Sequence, residues 1–325
     1  MWYVYILLCK DGSYYIGSSN DINKRVKEHL CGKGGRYTRS HRPQRLVYQE
    51  ELATKSEALR REVQLKKWSK ARKESLVQQF IMNNNPIGVF DSGVGGISVV
   101  REIKKVLPNE SIIYLADKAN FPYGKKTVGQ IRKISEKNVK WLLRRRAKLI
   151  VVACNTATVN AISFLRQKFP LTGFVGMEPA VKPAAKKAKK GIIILTSPKA
   201  TKSKQLNSLI KKYAKGIRVV NLGSLELVAA VEEQWNSGKI ETVLRKLIPK
   251  VFLNQADILV LGCTHFPLIK KQIQKYVGKD VIVIDSGKAV AKRVKVLLEE
   301  KRLLSTTIKP IYAYFTTGKR EVDMV

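Results

Sequence analysis

The spacing of apolar positions changes character near residue 86. Before it, short runs of β-branched and aromatic residues are interrupted by turn residues. Residues 4–8 and 14–17 read as two strands around a turn at Asp11-Gly12, and 46–50 as a third. Asp21 suits the N-cap of a helix reaching His29. Residues 56–80 read as one helix with Leu59, Val63, Leu65 and Trp68 as its apolar stripe. Met82-Asn83-Asn84-Asn85-Pro86 is polar and ends in proline, which reads as a linker over 81–85. Beyond it, continuous apolar runs at 87–90, 112–115, 149–153, 192–195, 218–222, 258–262 and 281–284 alternate with helical stretches. Strands without polar alternation are those covered on both faces of a parallel sheet.

The predicted fold class is therefore α/β: two pseudo-symmetric, doubly wound parallel-sheet lobes preceded by a small α+β domain at 1–80. The first lobe takes 86–182 and 287–325, and the second takes 183–286. An internal echo supports the two lobes. Leu149-Ile150-Val151-Val152-Ala153-Cys154-Asn155-Thr156 resembles Ile258-Leu259-Val260-Leu261-Gly262-Cys263-Thr264-His265. Each run ends by delivering a cysteine and small polar groups. Ligands of open α/β sheets bind at the carboxyl ends of strands, so two such lobes can clamp one ligand between two thiols.

Composition narrows the chemistry. The chain has 325 residues, four cysteines without a CxxC pair and three histidines, which argues against a zinc framework or a His-rich metal site. The net charge is +37, of which +9 falls in residues 1–80 and +28 in the rest, about 0.11 per residue in both. A lysine-rich bias explains so even a spread as well as a nucleic-acid face does. No run approaches the ~20 apolar residues of a membrane helix, so no membrane partner is expected. The apolar start lacks a basic leader and reads as a strand; the expected location is the cytoplasm, with reduced thiols. Two facing thiols suit inversion at a carbon: one takes a proton from one side while the other returns one to the opposite side. A helix N-terminus behind each thiol is expected to lower its pKa.

From about Pro86 to Gly318 the chain resembles glutamate racemase, of the cofactor-independent aspartate/glutamate racemase superfamily. The resemblance rests on Gly88-Val89-Phe90-Asp91-Ser92-Gly93-Val94-Gly95-Gly96, Pro122-Tyr123-Gly124, Ala153-Cys154-Asn155-Thr156, Gly262-Cys263-Thr264-His265-Phe266-Pro267-Leu268 and Asp285-Ser286, in that order. It implies Cys154 and Cys263 as the acid/base pair, with Asp91 assisting the first and His265 the second. It implies substrate contacts from Asp91, Ser92, Tyr123, Gly124, Asn155, Thr156, Thr264 and His265. Asp117 and Glu232 fall near the family's other acidic positions, either holding the ammonium or serving as capping carboxylates. Thr201 is a further candidate contact. The implied ligands are L- and D-glutamate, with no cofactor and with a homodimer as the expected assembly.

Residues 1–80 resemble the GIY-YIG nuclease superfamily through Val4-Tyr5, Tyr15-Ile16-Gly17, Arg25, His29 and Glu62, with Tyr3 where the first triplet has glycine. The resemblance implies that Tyr5 and Tyr15 activate a nucleophile, Arg25 steadies a phosphate and Glu62 binds one Mg²⁺. His29 then acts as base or orienter, and DNA is the partner. Two readings follow: a glutamate racemase supplying D-glutamate for peptidoglycan, or a Mg-dependent DNA endonuclease with a secondary or inactive racemase-like scaffold.

Overall fold

The computed structural model describes residues 1–307 and 309–318; the expected end of the first lobe, 319–325, lies outside them. The chain divides into two compact units, Met1–Asn85 and Pro86–Val325.

In the first unit, β1 (Trp2–Cys9), β2 (Tyr14–Ser19) and β3 (Pro43–Leu52) form an antiparallel sheet of order β2-β1-β3. Side chains alternate along β1. Val4 and Ile6 pack with Ile16, Val47, Ala58 and Leu65, while Tyr5 and Leu7 face Ile22 on the other side. Asp21 caps the helix Ile22–Leu30 by accepting from Lys24 N. A short helix, Arg36–His41, was not foreseen. The helix expected over 56–80 is two helices, Lys55–Lys67 and Lys70–Asn84, with Trp68 extended and Ser69 capping the second. The expected stripe is also corrected: Leu59 and Val63 are exposed, and Ala58 and Leu65 carry the burial. Residues expected as a linker continue the second helix to Asn84, because its backbone bonds run on until Pro86 can no longer donate.

In the second unit, β4 (Ile87–Asp91), β5 (Ile112–Ala116), β6 (Leu149–Val152) and β7 (Gly173–Gly176) are followed by β8 (Gly191–Thr196), β9 (Arg218–Gly223), β10 (Ile258–Leu261), β11 (Ile282–Asp285) and β12 (Tyr312–Thr316). They build two parallel sheets of order β12-β5-β4-β6-β7 and β11-β10-β8-β9. Helices cover both faces of the first: Ile97–Val106 and Gly287–Glu300 pack together on one side, Val128–Arg144 and Asn155–Lys168 on the other. The second sheet is buried likewise, with Ile193, Leu195, Leu259 and Leu261 on one face and Ile192, Ile194, Ile258 and Val260 on the other. The chain crosses between lobes twice, after β7 and after β11. Ser286 Oγ donates to Glu178 O at 2.5 Å, so the two crossings are bonded side by side. Among the described residues, no helix is long and apolar enough to cross a membrane.

Strand order locates the site. In the first sheet the chain winds from β4 to β5 and then returns to lay β6 on the other side of β4. In the second it winds from β8 to β9 and returns to lay β10 beside β8. Each reversal opens a crevice at the carboxyl ends of the strands. The residues delivered there are Asp91, Ser92 and Cys154 in one lobe, and Ser197 and Cys263 in the other.

Candidate active site

Cys154 and Cys263 open onto one narrow pocket between the lobes. Ser92, Tyr123, Gly124, Asn155 and Thr156 line it from the first lobe, and Thr264 and His265 from the second. The structure adds Ser197, whose hydroxyl bonds that of Thr156 at 2.9 Å, and an apolar wall of Phe121, Leu225 and Val228. Ser197 occupies the end of β8 as Ser92 follows β4. The run Thr196-Ser197-Pro198 closing an apolar strand was the signal available for it.

Four predicted contacts, Thr201, Asp117, Asp91 and Glu232, stand outside the lining of the pocket. Thr201 ends the short helix Pro198–Thr201 and spends its hydroxyl on Pro198 O at 2.6 Å. Asp117 is fully buried behind Tyr123. It accepts from Tyr123 Oη at 2.6 Å, Thr317 Oγ1 at 2.6 Å and Asn138 Nδ2 at 3.2 Å, so it orients Tyr123 from behind. Asp91 also lies behind the wall: its oxygens accept from Ser92 N and from Thr264 Oγ1, both at 2.8 Å. The Thr264 bond ties the lobes together at the site.

Each thiol has its own companions. Cys154 stands at the N-cap position of the helix Asn155–Lys168 and contacts Ser92 Oγ at 3.8 Å. Burial and the Asp91 carboxylate push its pKa well up; the Ala157 N–H of the helix pulls down but is outweighed. The expected lowering at Cys154 is thus reversed, since a buried site with a carboxylate beside the sulfur penalises a second negative charge. Asp91 is itself raised by burial, against the pull of His265 and Thr264. Beside Cys263, His265 Nδ1 sits 3.6 Å from Sγ, and His265 Nε2 donates to Glu232 Oε1 at 2.7 Å. Burial works to lower the His265 pKa, but the bonds to Cys263 and Glu232 prevail and push it up to about 10. Glu232 resists burial through His265 and Val94 N–H, and its pKa is lowered.

The glycine turn after β4 exists for this contact. A Cβ at Gly93 would lie 1.9 Å from Glu232 Oε1, and one at Gly95 would lie 2.6 Å from His265 Nδ1. Only glycine lets the backbone approach so closely.

Residues 87–294 match the family model described as Asp/Glu/Hydantoin racemase. A glutamate racemase from Roseiflexus sp. (strain RS-1) is 39% identical over 240 residues, covering 73% of this chain and 88% of its own length. The chain belongs to the glutamate racemase family. Two solved glutamate racemases share its fold. An isoform from Bacillus anthracis superposes with a TM-score of 0.66 at 30% identity, covering 73% of this chain and 90% of its own. That from Francisella tularensis subsp. tularensis SCHU S4, solved in complex with D-glutamate, gives 0.64 at 32% identity, covering 73% and 89%. Ahead of the racemase unit, residues 1–75 match the model described as GIY-YIG catalytic domain.

In that domain Tyr5, Tyr15 and His29 cluster: the Tyr15 and His29 rings are 4.8 Å apart, and Tyr5 Oη bonds His29 Nε2 at 3.0 Å. Thr38, absent from the sequence expectation, fixes the tautomer. Its hydroxyl donates to Gly35 O at 3.0 Å, so its oxygen accepts from His29 Nδ1–H at 2.8 Å. Nε2 is then the acceptor for the Tyr5 hydroxyl. Burial, then the Arg25 charge, lowers the His29 pKa and keeps this lone pair free. Arg25 pairs with Glu28 at 2.8 Å and lies beside the Tyr5 hydroxyl. Glu62 accepts from Ser18 Oγ and from Lys66 Nζ, both at 2.6 Å.

Proposed function

We propose that the racemase unit interconverts L- and D-glutamate by proton transfer between Cys154 and Cys263, and so supplies D-glutamate for peptidoglycan. The observation that carries this reading is that two thiols from different lobes open onto one pocket, each with its own acid–base partner. One sulfur, as thiolate, takes the Cα proton; the other, as thiol, gives its proton to the opposite side. The first leaves protonated and the second deprotonated, so the roles exchange with the handedness of the substrate. Burial, and then Asp91, hold the Cys154 thiol protonated, and the charged His265 faces Cys263 with a donor. Ser92, Asn155, Thr156 and Thr264 supply polar groups for the substrate's carboxylates and ammonium; Asn155 Oδ1 is buried without a protein partner. The chemistry needs no cofactor, because thiols and ordered donors replace an electron sink. The test is Cα exchange of L- and D-glutamate in heavy water. Wild type should exchange and racemise, and Cys154→Ser and Cys263→Ser should each lose racemisation by more than about a thousandfold. Racemisation surviving either change at near wild-type rate overturns the reading.

A second activity is favoured by the Tyr5–His29–Thr38 chain: cleavage of a phosphodiester by the GIY-YIG domain. A Mg²⁺ ion takes few protein carboxylates and completes its shell with water and phosphate oxygens, so Glu62 alone suffices as ligand. The ion would supply charge against the developing phosphate negative charge. Lys66, about half exposed, must first release the Glu62 carboxylate. An attacking water would pass its proton to the hydrogen-bonded Tyr5–His29 pair as the P–O bond breaks, the leaving oxygen would take a proton from solvent, and Arg25 would hold the phosphate. Nicking of plasmid DNA with Mg²⁺ by wild type, and its loss in Glu62→Ala, tests this; equal nicking by both refutes it.

A further inference from the structure

We propose that Tyr114 is a positioning residue that sets the Glu232–His265–Cys263 half of the site through one peptide unit. The inference rests on the racemase reading above and adds a residue outside the pocket wall. Tyr114 lies on β5 with no exposed surface. Its hydroxyl donates to the carbonyl of Gly93. That carbonyl shares a planar peptide with the N–H of Val94, which donates to Glu232 Oε1 at 2.6 Å. The same carboxylate oxygen accepts from His265 Nε2 at 2.7 Å, and His265 Nδ1 faces Cys263 Sγ at 3.6 Å.

Because the unit is rigid, its two ends cannot be placed independently. Turning the carbonyl off Tyr114 turns the N–H off Glu232. Beyond this bond the segment is held by the Val94 side chain on the core and by Ser98 Oγ on the Gly95 carbonyl at 2.8 Å, neither of which fixes the plane of the Gly93–Val94 peptide directly. Tyr114 is itself fixed on two sides. The Tyr314 ring meets it edge-on at 6.0 Å, and it fills the place a Gly96 side chain would take, with a Cβ there lying 2.7 Å from its ring. Burial, and then the charges of Asp91 and Glu232, raise its pKa well above that of an ordinary phenol, so the donor stays protonated. Hydrogen bonds in series polarise one another, so the donor acts on His265 through two intermediates.

The test is Tyr114→Phe, which keeps the ring and deletes the donor. Its kcat should fall roughly three- to tenfold, the scale of one buried hydrogen bond to a charged network, with KM little changed. With Cα-deuterated substrates, the isotope effect on kcat/KM should rise for one enantiomer and fall for the other, because only the Cys263 transfer slows. On a Glu232→Gln background the same change should add little. A merely structural role would slow both transfers alike, leave the pair of isotope effects unchanged and add in full to Glu232→Gln; any of these overturns the proposal. Should Tyr114→Phe not fold, Glu232→Gln, which weakens the same bond to His265, must give the enantiomer-dependent isotope pattern by itself, and its absence overturns the proposal. Wild type without Cα exchange would sink the racemase reading itself, whereas exchange with an unaltered pattern sinks only the role of Tyr114.

Discussion

Exchanging Glu232 for glutamine separates the charge at the site from its shape. The amide keeps an oxygen that can accept from Val94 N–H and from His265 Nε2–H, as the carboxylate does at 2.6 and 2.7 Å. What disappears is the negative charge that helps push His265 up to about 10. A charge-assisted bond exceeds a neutral one by about 1–1.5 kcal/mol, and one pKa unit corresponds to about 1.4 kcal/mol. The His265 pKa should therefore fall by about one unit. Its folded value lies above its ordinary 6.5, so its stabilisation is complete below 6.5 and is lost as pH rises through the folded value. Glu232 has a lowered pKa, so its stabilisation is present above its ordinary 4.5 and is lost as pH falls through the acid range. Glu232→Gln should accordingly be about 1 kcal/mol less stable than wild type between these limits, with the two converging at both extremes. With only three histidines, imidazole resonances give the His265 titration directly, and urea unfolding against pH gives the stability. A wild-type His265 titrating near 6.5, or an unchanged value in the variant, refutes the reasoning.

Other changes have equally definite outcomes. Gly95→Ala places a Cβ 2.6 Å from both His265 Nδ1 and Thr264 Oγ1. It should cost about 1–3 kcal/mol in thermal unfolding and nearly all racemisation, since the Thr264–Asp91 bond must break. Lys148→Met strands Glu110, buried in an ion pair at 2.5 Å, and should cost about 3–5 kcal/mol in urea unfolding while sparing turnover at low temperature. Asp117→Asn replaces the acceptor that holds Tyr123 and Thr317, and should raise KM roughly tenfold with a smaller fall in kcat, checked by steady-state kinetics.

The long apolar strands and both cysteines were legible because burial on two faces leaves an uninterrupted signature. β7 was not, as four residues flanked by glycines carry too little pattern, and β12 was hidden behind a polar stretch. The break at Trp68 escaped because apolar spacing continues across it, although Ser69 offered a capping signal. Ser197, Leu225 and Val228 reach the pocket only through the winding order of the second sheet, which no local window contains. The direction of the Cys154 shift depended on how deeply the fold buries that sulfur and how close it brings Asp91. Helix-end reasoning alone pointed the other way.

The paired crossings bonded through Ser286 and Glu178 behave as two straps laid along one edge. Two chain passages bonded side by side restrain relative twisting of the halves more than a single passage would. Away from the straps the halves also meet where Leu225 sits 3.0 Å from a Cβ built on Gly124 and the Lys199 ammonium reaches the Lys126 carbonyl. The Asp91–Thr264, Thr156–Ser197 and Val94–Glu232 bonds bridge the same two halves, so any parting wide enough to pass an amino acid must break several polar contacts together.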